Sequence, residues 1–405
     1  MLSDITIQID DHVYDAEALG AIHPGGPLFV QAFAGRDATT AFFSYHRREF
    51  PHQKMADVKV GNASPLQKND TEYVELCALI EMILPRTKSF APLSFYVKAF
   101  FLLCASFGLE FYIHRNGMYT WYLTGLLGWL FALVGLNIQH DANHGAISRN
   151  PFVNRIFGLS QNWIGGSAVD WIHQHVVQHH IETNHVGKDP DIVGNALLRF
   201  NPTKPNTTIQ EFQHIYMFLL LTIFGFTYIV DSVKHNLERF HFTKYSVLLH
   251  RYRDQELATI LVFAVRWLVL PGVLSTASSI TETYINIAPL FIVGGTYLSF
   301  FFVISHNFEG VHHHDCNSDA GFLRKQVASS SNVGGHWLCF INGGLNYQIE
   351  HHLFPRVSHV HYPTIAPFVK EFCLSRGIPY VHFPTIWDNV LSCSKYLYIM
   401  GRKPI

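Results

Sequence analysis

The chain has 405 residues, 48% of them hydrophobic and only 15% charged, where soluble domains carry roughly 25% charged residues. A net charge of −1 gives no reason to expect a nucleic-acid partner or an acidic one, and the apolar balance points to a membrane core with an appendage. Histidine is the other outlier: there are 26, against 29 lysines and arginines together.

Residues 1–62 are polar and mixed, and the alternation of Ile5, Ile7 and Ile9 predicts a short strand. The start, MLSDITIQIDDH, has neither a basic region nor an apolar run, so no cleavable signal is expected. His23 opens His-Pro-Gly-Gly, a rigid turn, and His46 follows 23 residues later. That separation is too long for one helical face, so two elements would bring the pair together across a cofactor. Residues 63–91 read as a linker with a short amphipathic helix that stops near Pro85. Four segments have the ~20 mostly apolar residues of a spanning helix: 93–113, 119–139, 257–275 and 284–305. A fifth, 215–230, is uncharged but short. The loop 234–256 carries Lys234, Arg239, Lys244, Arg251 and Arg253 and is expected to be cytosolic. Two hairpins then cross the membrane and 215–230 lies in the interface; five true spans are the alternative. Arg266 inside the third span is costly unless paired. The six cysteines (Cys77, Cys104, Cys316, Cys339, Cys373, Cys393) form no CxxC pair, which argues against a disulfide framework or a thiolate zinc site.

Three histidine clusters follow apolar segments. HDANH sets His140 and His144 four apart, on one helical face. HVVQHH repeats the spacing with His175 and His179, and His180 stands next to them, able to reach a neighbouring ion. QIEHH supplies Gln348, His351 and His352. Imidazole suits zinc, copper, iron and nickel. A catalytic zinc site needs only three protein ligands, and seven histidines exceed one ion's capacity, so a two-metal centre is expected. Asp189 and Asp191 are candidates to orient ligating imidazoles. HHHD at 312–315 reads as a solvated loop, His173 as facing away, and His185 as structural. Trp163, Trp171 and Trp337 are candidates for an acyl channel or for interfacial anchors.

Together the three clusters resemble the membrane-bound fatty acyl desaturases, specifically the front-end class, whose third cluster begins with glutamine. The stretch AIHPGGPLFVQAFAGRDATTAFFSYH resembles cytochrome b5. The resemblance implies a mostly α integral membrane protein: a membrane desaturase domain at 92–405, made of a four-helix core with a cytosolic histidine cap, and a small α+β heme domain at 1–62. It implies heme b held by His23 and His46, and two non-heme irons held by His140, His144, His175, His179, His180, His351 and His352. His306, in FFVISHNFEG, is implied as a further ligand, and Gln348 as a group orienting one. The activity implied is O2-dependent insertion of a cis double bond between an existing one and the carboxyl end of a polyunsaturated acyl chain. Δ4 or Δ5 insertion is favoured over Δ6 by the spacing of the second cluster.

No Gly-rich dinucleotide fingerprint occurs, so electrons would come from NADH through a separate cytochrome b5 reductase. The substrate is acyl-CoA or a phospholipid acyl chain. The terminal RKPI resembles an endoplasmic-reticulum retrieval tail, with both termini and the active site cytosolic. Rival readings are a sphingolipid long-chain-base desaturase, a fatty acyl hydroxylase, a non-catalytic heme-binding membrane protein and a zinc-dependent membrane hydrolase.

Overall fold

The computed structural model of the chain describes residues 2–64, 70–194, 196–238 and 247–402. Arg239 and Lys244 of the basic loop, and residues 403–405 of the tail, lie outside them.

The N-terminal module is a three-stranded antiparallel sheet, Thr6–Ile9, His12–Asp15 and Lys59–Asn62 in that order, with short helices packed on it. The predicted strand is present, but its burial does not alternate: Ile7, Gln8 and Ile9 are all buried, because the strand is covered on both sides, while Ile5 lies before it and is exposed. The Asp15 carboxylate accepts from the Glu17 and Ala18 amides and so starts the helix Ala16–Ile22. His-Pro-Gly-Gly ends that helix and begins the next, Pro27–Ala32. A Cβ on Gly25 would sit 2.8 Å from the His23 ring, so glycine there leaves the imidazole its place. Helix Thr39–His46 ends at Arg47, which takes φ +48°.

The segment at 63–91 is more than a tether. Its helix, Thr71–Ile83, buries Leu76 and Ile80 completely against Val327, Leu353, Phe354, Ile365 and Val369. Tyr73 Oη donates to Leu353 O, and Arg324 pairs with Glu72 at 2.7 Å. The helix thus belongs to the core that carries the third histidine cluster.

Among the described residues, five helical stretches are long and apolar enough to cross a membrane: Arg86–Asn116, Trp121–Asn143, Thr208–Lys234, Asp254–Leu274 and Ile280–His306. The extra one contains segment 215–230, which is longer in the structure than its uncharged stretch indicated. Polar residues extend it: buried Gln213 is helical because its amide bridges Arg199 N, at 2.8 Å, and Leu397 O, at 3.0 Å. Helices Trp121–Val134 and Ile280–His306 touch backbone to backbone. A Cβ on Gly128 would lie 2.3 Å from Leu290 O, and one on Gly294 2.8 Å from Gly128 O, so only glycine permits this approach. Arg266 is paired: its guanidinium meets the Glu110 carboxylate, which also accepts from Trp163 Nε1 at 2.9 Å.

Candidate functional site

In the N-terminal module, His23 and His46 each stand at a helix end and face each other, ring centroids 5.9 Å apart. His23 donates Nδ1–H to Gly26 O and His46 donates Nδ1–H to Phe42 O, both at 2.9 Å. This fixes the tautomer that leaves each Nε2 a lone pair. The cavity beside them is walled by Ile7, Leu19, Phe29, Val30, Phe33 and Phe42. Burial pushes His46 down to about 3 and lowers His23 as well, so both rings are neutral and able to bind a metal.

The three clusters converge at the ends of the long helices. One donor group is His140, His144, His175 and His351; others are His179 with His306 and His352, and His180 with His351 and His352. Within each group the donor atoms lie within 4.8 Å of one another, and all these residues are buried. The local backbone explains the sorting. Ile172–His179 is a π-helical turn, in which residues five apart stack, so His175 and His180 approach with Nε2 atoms 3.1 Å apart. His175 thereby joins the first cluster's pair while His179 turns to His306. The equal-face reading of His175 and His179 assumed an α-helix; the extra residue per turn separates them, although they do share a further group with Asp191. A second π turn, Gly135–Gln139, leads into His140.

Behind the rings stand specific partners. His179 Nδ1 lies 3.1 Å from Asp189 Oδ1 and 3.3 Å from Asp191 Oδ2. Burial opposes charge on His179, but the two carboxylates overcome it and raise the ring to about 9. His306 donates Nδ1–H to Ser329 O at 2.9 Å, and His352 donates to Gln326 Oε1 at 2.9 Å. His351 Nδ1 meets Tyr362 Oη at 3.2 Å. Gln348 stands among the ring nitrogens rather than behind them, its Nε2 2.9 Å from His306 Nε2 and 3.1 Å from His352 Nε2. His144, His175, His180, His351 and His352 are held well below the usual histidine range, by burial first and then by one another.

This donor set fits metal ions. The Nε2 atoms of His140, His144, His179 and His351, and Nδ1 of His180, are buried without a hydrogen-bond partner, as is Gln348 Oε1. So many unsatisfied buried donors are costly unless cations meet them.

The fatty acid desaturase family model matches residues 117–384. The chain belongs to that family. The model of a cytochrome b5-like heme/steroid binding domain matches residues 3–64, so the chain joins a heme-binding module to a desaturase domain. It is similar to an acyl-lipid (7-3)-desaturase of Rebecca salina, 44% identical over 99% of this chain and 91% of the relative. An acyl-lipid (7-3)-desaturase of Diacronema lutheri is 41% identical over the same shares. An acyl-lipid (8-3)-desaturase B of Dictyostelium discoideum is 28% identical over 99% and 92%. The protein is thus an oxidoreductase of lipid metabolism, and heme and iron are the cofactors its two domains imply.

The structure brings every histidine singled out in the three clusters into adjacent buried donor groups, with His306 in one of them and Gln348 beside it. His173 belongs to none of the donor groups, and His185 packs against His314. Trp171 borders His140, His144 and His175, whereas Trp163 serves the Glu110–Arg266 pair and Trp337 is exposed. Sequence reasoning missed several polar partners. Asp141, beside His140, accepts from Ser358 Oγ and pairs with His359, whose other ring nitrogen lies 3.1 Å from Lys98 Nζ. Gln326, Tyr362 and Tyr45 were missed too: they stand 26, 11 and 99 positions from the rings they meet, outside any one-turn helical spacing.

Proposed function

We propose that the protein is a front-end acyl-lipid desaturase of Δ4 type, holding heme b between His23 and His46 and two non-heme irons among the eight histidines. The observation that carries this reading is the convergence of eight buried histidines, split into adjacent donor groups, beneath an apolar cavity. Eight imidazoles exceed the capacity of one ion, and they sort into two arms: His140, His144 and His175 on one side, His179, His306 and His352 on the other, with His180 and His351 between. Gln348, by its unpartnered carbonyl oxygen, is able to face the ion of the second arm.

Iron bound there supplies dioxygen activation, and the overall change is one CH2–CH2 unit, O2, two electrons and two protons giving CH=CH and two waters. The chain's own part is position and exclusion of water. Asp189 anchors His179, and Trp171 and Phe302 wall the cavity that reaches His140 and runs between the long helices past Phe131, Leu290 and Phe291. That slot suits an acyl chain. Two relatives named (7-3), at 44% and 41% identity, stand well above a relative named (8-3) at 28%, which favours a new bond three carbons to the carboxyl side of one at carbon 7. Their shared description as acyl-lipid enzymes favours a lipid-linked substrate over acyl-CoA.

Convergence also bears on topology. His140 ends one long helix and His306 ends another, yet both belong to one site. An even number of crossings must separate them, which supports four spans with Thr208–Lys234 beginning and ending on the site's face. With the basic loop cytosolic, site and heme module face the cytosol of the endoplasmic reticulum, within reach of an NADH-dependent reductase.

The test is expression in a yeast that makes no polyunsaturated fatty acids, fed acids with a double bond at carbon 7 or, separately, with the first at carbon 8. Methyl esters are read by gas chromatography–mass spectrometry. A Δ4 product from the first set is expected; a product only from the second overturns the regiochemistry, and no product from a heme-loaded protein overturns the desaturase reading. Asp189→Asn should weaken non-heme iron retention roughly 10–100-fold, as expected for a carboxylate that orients a ligating imidazole. The measurement is the chelator concentration that strips half of that iron, with heme content unchanged.

A further inference from the structure

The heme module and the desaturase domain are not beads on a string. Ile7, Leu19, Val30 and Phe33 of the module share one apolar core with Val169, Ile172, Val176 and Val177, which flank and interleave the second histidine cluster. The cavity beside His23 and His46 is lined also by Ala142, Asn143, His144 and Gly145 of the desaturase domain. His144, a member of the first donor group, therefore lines the same cavity as His23 and His46, and one side chain of the heme module is hydrogen-bonded to it.

That side chain is Tyr45. It immediately precedes His46 in the chain, and its Oη lies 2.8 Å from His144 Nδ1. Phe29 packs beside it, ring centroids 6.1 Å apart, and the Tyr45 and His144 rings stack at 6.3 Å. His144 Nε2 is one of the buried nitrogens with no partner, and it faces His140, His175 and His351. For Nε2 to keep its lone pair, Nδ1 must carry the proton, so His144 donates to the Tyr45 oxygen. The other outer partners found for these rings (Asp189, Asp191, Gln326, Ser329, Tyr362) all belong to the desaturase domain. Among the described residues, Tyr45 alone reaches a ring of the cluster from the heme module.

We propose that Tyr45 is the positioning residue that couples the two centres, fixing the heme module against His144 and providing a bonded route for electrons between them. This rests on the reading that His46 binds heme and His144 binds iron. The route runs from His46 through one peptide unit to Tyr45, across one hydrogen bond, to His144. Each passage moves one electron: ferrous heme becomes ferric as ferric non-heme iron becomes ferrous, and a one-electron flavoprotein reductase restores the heme. Tyr45 keeps its proton and its electrons throughout; it is a bridge, not a carrier.

The experiment uses the full-length, heme- and iron-loaded protein with Tyr45→Phe and Tyr45→Gln. Heme is reduced anaerobically with substoichiometric dithionite, and its reoxidation by the non-heme iron is followed optically in a stopped-flow instrument. Tyr45→Phe should slow reoxidation roughly 10-fold or more, the range typical of losing an outer partner of a metal ligand. Its heme midpoint potential, Soret band and iron content should stay at the wild-type values. Tyr45→Gln retains an oxygen that accepts from His144 and should stand between the two. Wild-type reoxidation rates in both variants overturn the proposal. So does loss of heme or iron in both, which would make Tyr45 a folding residue only. A wild-type protein that holds no non-heme iron sinks the underlying functional reading instead, and the two failures are told apart by metal analysis before any mixing.

Discussion

His351→Ala should abolish desaturation, with product below detection, and should cost at least about 100-fold in non-heme iron affinity, more than is usual for an outer partner alone. The expectation follows from position. His351 is the one histidine that appears both with His140, His144 and His175 and with His180 and His352, so its ring stands where the two arms of the site meet. Its centroid lies 4.4 Å from that of His140 and 4.5 Å from that of His180. Removing it takes a donor from the middle of the set rather than from an edge. The heme is the internal control: His23 and His46 lie outside the cluster, so the Soret band should be unchanged. Iron by mass spectrometry, heme by absorbance and product by gas chromatography give three independent readings. Full iron content in the variant would show that His351 is not a ligand.

Arg266→Leu should destabilise the folded protein by about 3–5 kcal/mol, the usual cost of leaving one member of a buried ion pair alone. Glu110 is on the first long helix and Arg266 on the fourth, and both side chains are largely buried. The guanidinium also donates to Trp163 O at 3.0 Å, and the carboxylate lies 3.4 Å from His114 Nε2. With the arginine gone, Glu110 would face apolar surroundings with only Trp163 and His114 to meet it. Replacing both residues, as Glu110→Leu with Arg266→Leu, should recover most of the loss, because two leucines ask nothing of each other. Thermal unfolding in detergent, followed by size-exclusion chromatography, reads the difference. A single variant as stable as the wild type would show that the pair does not hold these helices together.

The chemistry of this chain was legible where a residue type and a short spacing carry it. His140 and His144 announce a shared face, His-Pro-Gly-Gly announces a rigid turn, and uncharged apolar runs announce long helices. What stayed hidden has physical causes. A reading based on 3.6 residues per turn has no place for the extra residue of Ile172–His179, and that residue decides which arm His175 and His179 serve. Segment 215–230 appeared too short because His214 and Asp231 flank it, yet the helical stretch runs past both, from Thr208 to Lys234, and Gln213 within it is buried, its amide satisfied by backbone 14 and 184 residues away. The helix Thr71–Ile83 looked like part of a tether because the apolar stripe that buries Leu76 and Ile80 meets partners more than 200 residues on. Tyr45 gave no signal at all, since its partner lies 99 positions along the chain and neither residue marks the other locally. Pairings of this kind are set by tertiary packing alone.

The apolar core shared between the heme module and the desaturase domain changes the kinetics of supply. A freely diffusing donor must find its acceptor anew for every electron, so its delivery rate scales with abundance and falls as salt screens the encounter. Here the donor is already seated, and the transfer becomes an internal first-order constant that dilution does not alter. Collision then matters only at the outer mouth of the heme cavity, where Pro24, Arg48 and Lys54 stand. On the proposed reading, with a separate reductase feeding the heme, throughput in the cell would follow the amount of that reductase, with no dependence on a separate pool of soluble heme protein.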